Sequence, residues 1–188
     1  MALRIKGERP LKTLDGLNTR PTSSKVRAAV FNILQDRVND AHWLDLCAGS
    51  GAMGAEALAR GARSVTGVEQ SAAACRIIKE NWQQICDATQ THQVIRGDVV
   101  KILAKLAPQK FDFIYFDPPY QSDLYAPVLA VVGSLLRSDG IVIAEHDRNR
   151  HLPDQPALDL IAYDRRQYGQ TALCFYRLAT EDHNQSIE

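Results

Sequence analysis

The sequence predicts an α/β fold: a mostly parallel sheet with helices on both faces and one antiparallel strand. Three observations carry this. Apolar runs near 42–47, 64–69, 92–97, 111–117 and 140–145 alternate with stretches of helical spacing near 53–60, 71–84, 99–106 and 123–136. Strand–helix alternation of this kind gives parallel strands covered on both faces. Trp43-Leu44-Asp45-Leu46-Cys47-Ala48-Gly49-Ser50-Gly51-Ala52-Met53-Gly54 reads as strand, glycine turn and helix. Segments near 157–168 and 171–178 meet through Tyr168-Gly169-Gln170, a hairpin signal that adds an antiparallel strand.

The elements follow in order. Leu3-Arg4-Ile5-Lys6 and Leu11-Lys12-Thr13-Leu14 alternate around Gly7-Glu8-Arg9-Pro10, which predicts a short hairpin projecting from the domain. Thr22 or Ser23 can cap a helix running to about Asp36, with Val26, Val30, Phe31 and Leu34 on one face. The alternating strands and helices come next, and Pro153 and Pro156 separate them from the final hairpin. The expected organisation is a single domain over 1–178, made of a basic hairpin (1–20), a helix (21–37) and an α/β core (38–178). The polar tail 179–188 is expected to be disordered.

A chain of 188 residues with 45% hydrophobic content fits one soluble domain with a sizeable core. The first residues lack an apolar signal segment, and the longest apolar stretch, Tyr125 to Leu136, is too short and too interrupted to span a bilayer. A cytoplasmic protein without a membrane partner is expected. Net charge is zero, yet residues 1–27 hold Arg4, Lys6, Arg9, Lys12, Arg20, Lys25 and Arg27 against only Glu8 and Asp15. Such asymmetry points to an anionic partner at those seven side chains; the bland alternative is a solvated basic tail. Cys47, Cys75, Cys86 and Cys174 show neither zinc-site nor disulfide-framework spacing. His146, Asp147 and His151 lack a third ligand at suitable spacing, so no metal is expected.

Two motifs carry chemistry. In the first, Gly49, Gly51 and Gly54 match the spacing that lets backbone approach a nucleotide cofactor at a helix N-terminus, and Glu69 ends the next apolar run where a carboxylate can bind ribose hydroxyls. A tight turn without a ligand is the alternative. The glycines alone suit NAD as well as S-adenosylmethionine. Asp45 favours the latter, because a carboxylate before the turn attracts an ammonium and a sulfonium but repels a pyrophosphate. In the second, Asp117-Pro118-Pro119-Tyr120 follows the apolar run from Phe111 to Phe116. The prolines stiffen the exit from the strand and leave carbonyls unused by a helix. The Asp117 carboxylate and the Pro118 carbonyl can then grip the two hydrogens of a planar amine while Tyr120 stacks on its ring. A Pro-Pro turn with a buried Tyr is the alternative.

With both motifs in place, the chain resembles the class I S-adenosylmethionine-dependent methyltransferases. Arg20-Pro21-Thr22-Ser23-Ser24-Lys25-Val26-Arg27, Phe31-Asn32, Asp45 to Gly51, Glu69, Gly97-Asp98 and Asp117 to Tyr120 together look like the RsmD family. The resemblance spans roughly Leu3 to Arg177. It implies a seven-stranded Rossmann-like sheet, S-adenosylmethionine as cofactor, and methylation of the exocyclic N2 of a guanine in bacterial small-subunit (16S) rRNA or a subunit particle by a monomer. It implies catalytic roles for Asp117, Pro118 and Tyr120. The implied cofactor contacts are Asp45, Cys47, Ala48, Gly49, Gly51, Glu69, Gln70, Asp98 and Val99, with Asp98 near the adenine amino group; a helix cap is that residue's other reading. One departure stands out. The family's amino-terminal run is glycine-rich, basic and carries an aromatic, whereas Lys6-Gly7-Glu8-Arg9-Pro10-Leu11 stands here.

Rival readings share parts of this pattern. Adenine-N6 DNA methyltransferases also use an acid or amide before Pro-Pro-aromatic, and glutamine-directed protein methyltransferases are chemically similar. A non-catalytic RNA-binding assembly factor could keep the cofactor fold.

Overall fold

The computed structural model describes residues 3–5, 9–13 and 23–179. Two short strands, β1 (Leu3–Ile5) and β2 (Arg9–Leu11), pair antiparallel. The second strand starts earlier than expected: Arg9 and Pro10 belong to it and not to the turn. Proline is tolerated there because the ribbon has only two strands, each an edge. Nor does the ribbon stand clear of the domain, since Ile5 and Leu11 are buried in the main core.

Helix α1 (Ser24–Leu34) is capped by the Ser23 hydroxyl, which accepts from the Val26 N–H at 3.2 Å. It buries Val26, Arg27, Val30, Phe31 and Leu34. A 3-10 turn, Gln35–Val38, then leads to β3 (His42–Leu46). The chain continues through α2 (Ala52–Ala59), β4 (Ser64–Glu69), α3 (Ala72–Ile85), β5 (Thr91–Arg96), α4 (Val99–Leu103) and β6 (Phe111–Phe116). The long helix expected over 123–136 is broken into α5 (Tyr125–Leu129) and a 3-10 turn, Val132–Leu135. Consecutive β-branched residues and a glycine, Val131-Val132-Gly133, are poor helix formers, and the Ser134 hydroxyl donates back to the Val131 carbonyl at 2.7 Å. Strand β7 (Leu136–Asp147) therefore begins early, and β8 (Leu160–Tyr168) and β9 (Thr171–Leu178) complete the sheet.

The seven strands lie in the order β5-β4-β3-β6-β7-β9-β8. All pairs from β5 to β7 are parallel, and β9 runs antiparallel between β7 and β8. Alternation along each strand sends residues to opposite faces. Trp43, Phe113, Tyr115 and Ile143 pack with α1–α3 residues on one side, and Leu44, Ile114, Phe116 and Val142 pack with α4–α5 residues on the other. Strand β3 pairs with both β4 and β6, so the order reverses there. The crevice beyond the carboxyl ends of β3 and β6 is where ligands bind in open sheets of this kind. The tail expected from 179 onward lies outside the described residues beyond Ala179.

Candidate active site

Both sequence motifs fall at that crevice. The turn after β3 passes through three left-handed residues, Cys47 (φ 60°), Gly49 (φ 56°) and Gly51 (φ 74°), the last of which caps α2. Glu69, at the end of β4, holds this turn. Its Oε2 accepts the Gly49 N–H at 2.9 Å and its Oε1 the Ser71 N–H at 2.8 Å. Asp45 lies beneath the turn, only 2% exposed, and its Oδ2 accepts the Gly54 N–H at 3.0 Å. Burial pushes its carboxyl up to about 8, against the pull of the Gly54 N–H and with help from the Glu69 charge. In this structure Asp45 therefore shapes the helix start.

Support for the turn comes from α3, a contribution the motifs did not reveal. Trp82 Nε1 donates to the Gly51 carbonyl at 2.8 Å, and the indole fills a slot formed by three glycines. A Cβ on Gly54 would lie 2.3 Å from Trp82 Cζ2, one on Gly67 2.6 Å from Cη2, and one on Gly51 2.8 Å from Nε1. The preceding residue, Asn81, is fully buried. Its amide nitrogen donates to the carbonyls of Ser50 (3.1 Å) and Lys12 (3.0 Å), and its oxygen accepts the Lys12 N–H at 2.9 Å. One side chain thus joins the segment after β2 to the glycine turn.

The acids expected at the site converge. The Cys47 thiol is pushed up to about 12, chiefly by burial and then by the charges of Glu69, Asp117, Asp45 and Asp98, in that order. It stays a neutral thiol. Asp98 caps α4 by accepting the Lys101 N–H at 3.1 Å, so the helix-cap reading holds in this structure. Val99 is buried behind it, and the exposed Gln70 offers its carbonyl to Arg96 Nε at 3.4 Å.

On the other side of the crevice, Asp117 and Tyr120 are half-buried, Pro118 is buried and Pro119 is exposed. The Pro119 carbonyl takes the Ser122 N–H at 2.8 Å, and the Tyr120 carbonyl takes Arg150 Nη2 at 3.1 Å. Tyr120 is held at its hydroxyl, which donates to Glu145 Oε1 at 3.2 Å and lies 2.9 Å from Thr171 Oγ1. Glu145, 3% exposed at the end of β7, also accepts the Tyr115 hydroxyl on Oε2, while its main-chain carbonyl accepts the Tyr125 hydroxyl at 3.0 Å. Burial, with Glu145 and Asp117 nearby, pushes the Tyr120 hydroxyl up to about 12 despite the Thr171 bond. Its ring is a neutral, fixed platform. Glu145 escaped the sequence reading, although an acid closing an apolar run is the same signal that Asp45, Glu69 and Asp117 gave.

The basic residues divide. Arg9 and Lys25 are exposed. Arg27 is 4% exposed, with Nε 3.5 Å from Glu56 Oε2, so the expectation that it meets an outside anion is corrected. The i, i+3, i+4, i+7 spacing of residues 27, 30, 31 and 34 puts it on the buried face. Lys12 Nζ lies 2.7 Å from Glu80 Oε2 at the surface. The side chains of Arg4, Lys6 and Arg20 lie outside the described residues. Among the described residues, no group of three or more His, Cys, Asp or Glu could hold a metal ion.

Glu69→Ala should weaken cofactor binding by about 1–3 kcal/mol, the worth of charge-assisted bonds together with the slackened turn. Titration calorimetry with S-adenosylmethionine checks this, and an unchanged affinity would leave Glu69 a strand-end residue only.

Comparison with known proteins gives a consistent picture. A family described as Conserved hypothetical protein 95 matches residues 4–177. The chain is 34% identical to the putative rRNA methyltransferase YlbH of Bacillus subtilis, over 92% of this chain and 95% of that one. It is 28% identical to the ribosomal RNA small subunit methyltransferase D of Escherichia coli K12, over 90% and 84%. A solved structure of a putative methyltransferase, yhhF, from Escherichia coli superposes with a TM-score of 0.82 at 27% identity, covering 96% of this chain and all of that one.

Proposed function

Because the chain belongs to the Conserved hypothetical protein 95 family, the RsmD methyltransferases, we propose that it methylates the exocyclic N2 of a guanine in small-subunit rRNA. S-adenosylmethionine-dependent methylation of rRNA is the activity that its kinship supports. One observation carries the cofactor side: four acids, Asp45, Glu69, Asp98 and Asp117, stand at the carboxyl ends of the neighbouring strands β3, β4, β5 and β6, around the partly buried Cys47 thiol. That field suits a ligand with an ammonium and a sulfonium, and a nearby cation would draw the Asp45 carboxyl back towards its ionised form.

When bound, S-adenosylmethionine supplies an electrophilic methyl group on its sulfonium. The remaining work is alignment of a weak nucleophile, for which well-oriented systems reach effective molarities on the order of 10⁵–10⁸ M. Gly49 and Gly51 bring backbone against the cofactor, and Glu69 accepts from its ribose hydroxyls. Cys47, Ala48, Gln70, Asp98 and Val99 line the rest of its site. The Asp117 carboxylate and the Pro118 carbonyl accept the two amine hydrogens, which turns the nitrogen lone pair out of the ring plane. Tyr120 stacks on the base, a contact worth roughly 1–3 kcal/mol that offsets part of the cost of extracting it. Asp117 need not be strongly basic, because the methylated ammonium is acidic and sheds its proton readily. The exposed cations of the amino-terminal segment contact phosphate. The protein acts in the cytoplasm as a monomer, on rRNA or a partly assembled subunit.

Incubation with naked small-subunit rRNA and with small-subunit particles, followed by nucleoside digestion and mass spectrometry, should yield N2-methylguanine. N6-methyladenine would move the protein to the DNA-type reading. No methylated nucleoside on either substrate, with cofactor bound, would leave the assembly-factor or protein-substrate readings.

A further inference from the structure

We propose that Arg148 and Arg150 form a second phosphate-binding point of the RNA site, beside the base platform and separate from the amino-terminal segment; the inference rests on the rRNA reading above. The two arginines sit in the turn that leaves β7. That turn is fastened by its own backbone: Arg150 N–H donates to the Asp147 carbonyl at 2.9 Å, and Arg148 N–H to the Gln170 carbonyl at 2.9 Å. The acid next to them is occupied as well, since Asp147 Oδ1 accepts the Asn149 N–H at 2.9 Å. The turn is therefore a fixed mount joined to the β8–β9 hairpin.

Arg150 is held where the substrate base would lie. Its Nη2 donates to the Tyr120 carbonyl at 3.1 Å, and its guanidinium carbon sits 4.6 Å from the centre of the Tyr125 ring. Neither partner carries a charge, so the cation is positioned without being neutralised. Arg37, bonded to the Asp139 carbonyl at 2.8 Å and over the Phe113 ring, is held in the same way, but six other arginines are not. Arg27, Arg60, Arg63, Arg137, Arg165 and Arg166 each lie against a carboxylate. Among the described residues, Arg148 and Arg150 have no such partner, and Arg148 is exposed.

A pair of guanidinium groups without an ion-pair partner, next to a stacking tyrosine, suits an anion attached to the stacked group. For an extruded nucleotide that anion is its own or the adjoining phosphate, which the planar arginine fork can bind in a bidentate manner. The amino-terminal cluster makes the need plainer, because Arg27 is buried with Glu56 and Lys12 is paired with Glu80.

The test is a salt titration of small-subunit rRNA binding by the full chain. Each phosphate contact contributes roughly 0.7–0.9 to the log–log slope of affinity against salt. Arg148→Gln, at an exposed side chain, should lower the slope by about 0.7–0.9, and the Arg148→Gln/Arg150→Gln pair by about 1.4–1.8. KM for rRNA should rise in both while cofactor affinity stays put. Slopes equal to wild type in both variants would overturn the proposal, even if Arg150→Gln slowed turnover, because Arg150 would then be only a latch on Tyr120. That outcome leaves the rRNA reading intact. A wild-type chain that shows no salt-dependent rRNA binding would instead overturn the reading and this inference together.

Discussion

Asp117→Ala should abolish methyl transfer while leaving the fold and most of the cofactor affinity in place. The residue stands at the exit of β6, half-buried, and its place in the chain is fixed by the strand and by the prolines that follow. In the proposed mechanism, removal of the carboxylate takes away one of the two acceptors that orient the amine. It also removes the charge that favours the amine's developing positive character. Loss of a single preorganised partner at a reacting centre costs about 10²–10³ in rate, and Asp117 supplies two effects at once, so a fall of at least about 10³ in kcat is expected. Single-turnover methylation of rRNA measures it, with titration of S-adenosylmethionine alongside. Near-normal turnover would sink the amine-gripping mechanism. Asp117→Asn should fall between the two, since the amide keeps one acceptor but loses the charge.

The second large effect concerns stability. Trp82→Ala should cost about 3–5 kcal/mol, the range for deleting a buried aromatic, and should weaken cofactor binding as well. The indole fills the slot left by Gly51, Gly54 and Gly67 and donates to the Gly51 carbonyl, so its loss opens a cavity directly under the turn. The reverse error, Gly54→Ala, places a Cβ 2.3 Å from Trp82 Cζ2 and should cost about 1–3 kcal/mol through overpacking. Because both changes act on one slot, the double variant should lose less than the sum of the two. Denaturant unfolding of the three variants decides it; simple additivity would show that the indole and the glycine do not share a space.

Much of the fold and site was legible in the sequence because it is written in local signals. The glycine turn, the acids that close β3, β4 and β6, and the Pro-Pro exit each depend on a few neighbouring residues. The parallel strands followed from alternation. What escaped depends on partners far apart in the chain. Arg27 read as a phosphate contact because its counter-ion, Glu56, lies on another helix. Asn81 and Trp82 looked like ordinary helix residues, and only the packing of α3 beneath the turn reveals that they hold Ser50, Gly51 and Lys12. The helix expected near 123–136 failed for a local reason that the apolar spacing concealed, the run of β-branched residues before Gly133.

The Asn81 clamp also sets an order of events at the ribosome. Lys12 is synthesised 69 residues ahead of the side chain that binds both its N–H and its carbonyl. At elongation rates of roughly 5–20 residues per second, that gap lasts roughly 3–14 s. Through that interval the basic ribbon has no seat, and the glycine turn, made partway through it, lacks until its end the amide and the indole that fix its carbonyls. Both come from adjacent positions on α3 and arrive together, so the amino-terminal ribbon and the glycine turn mature in one step.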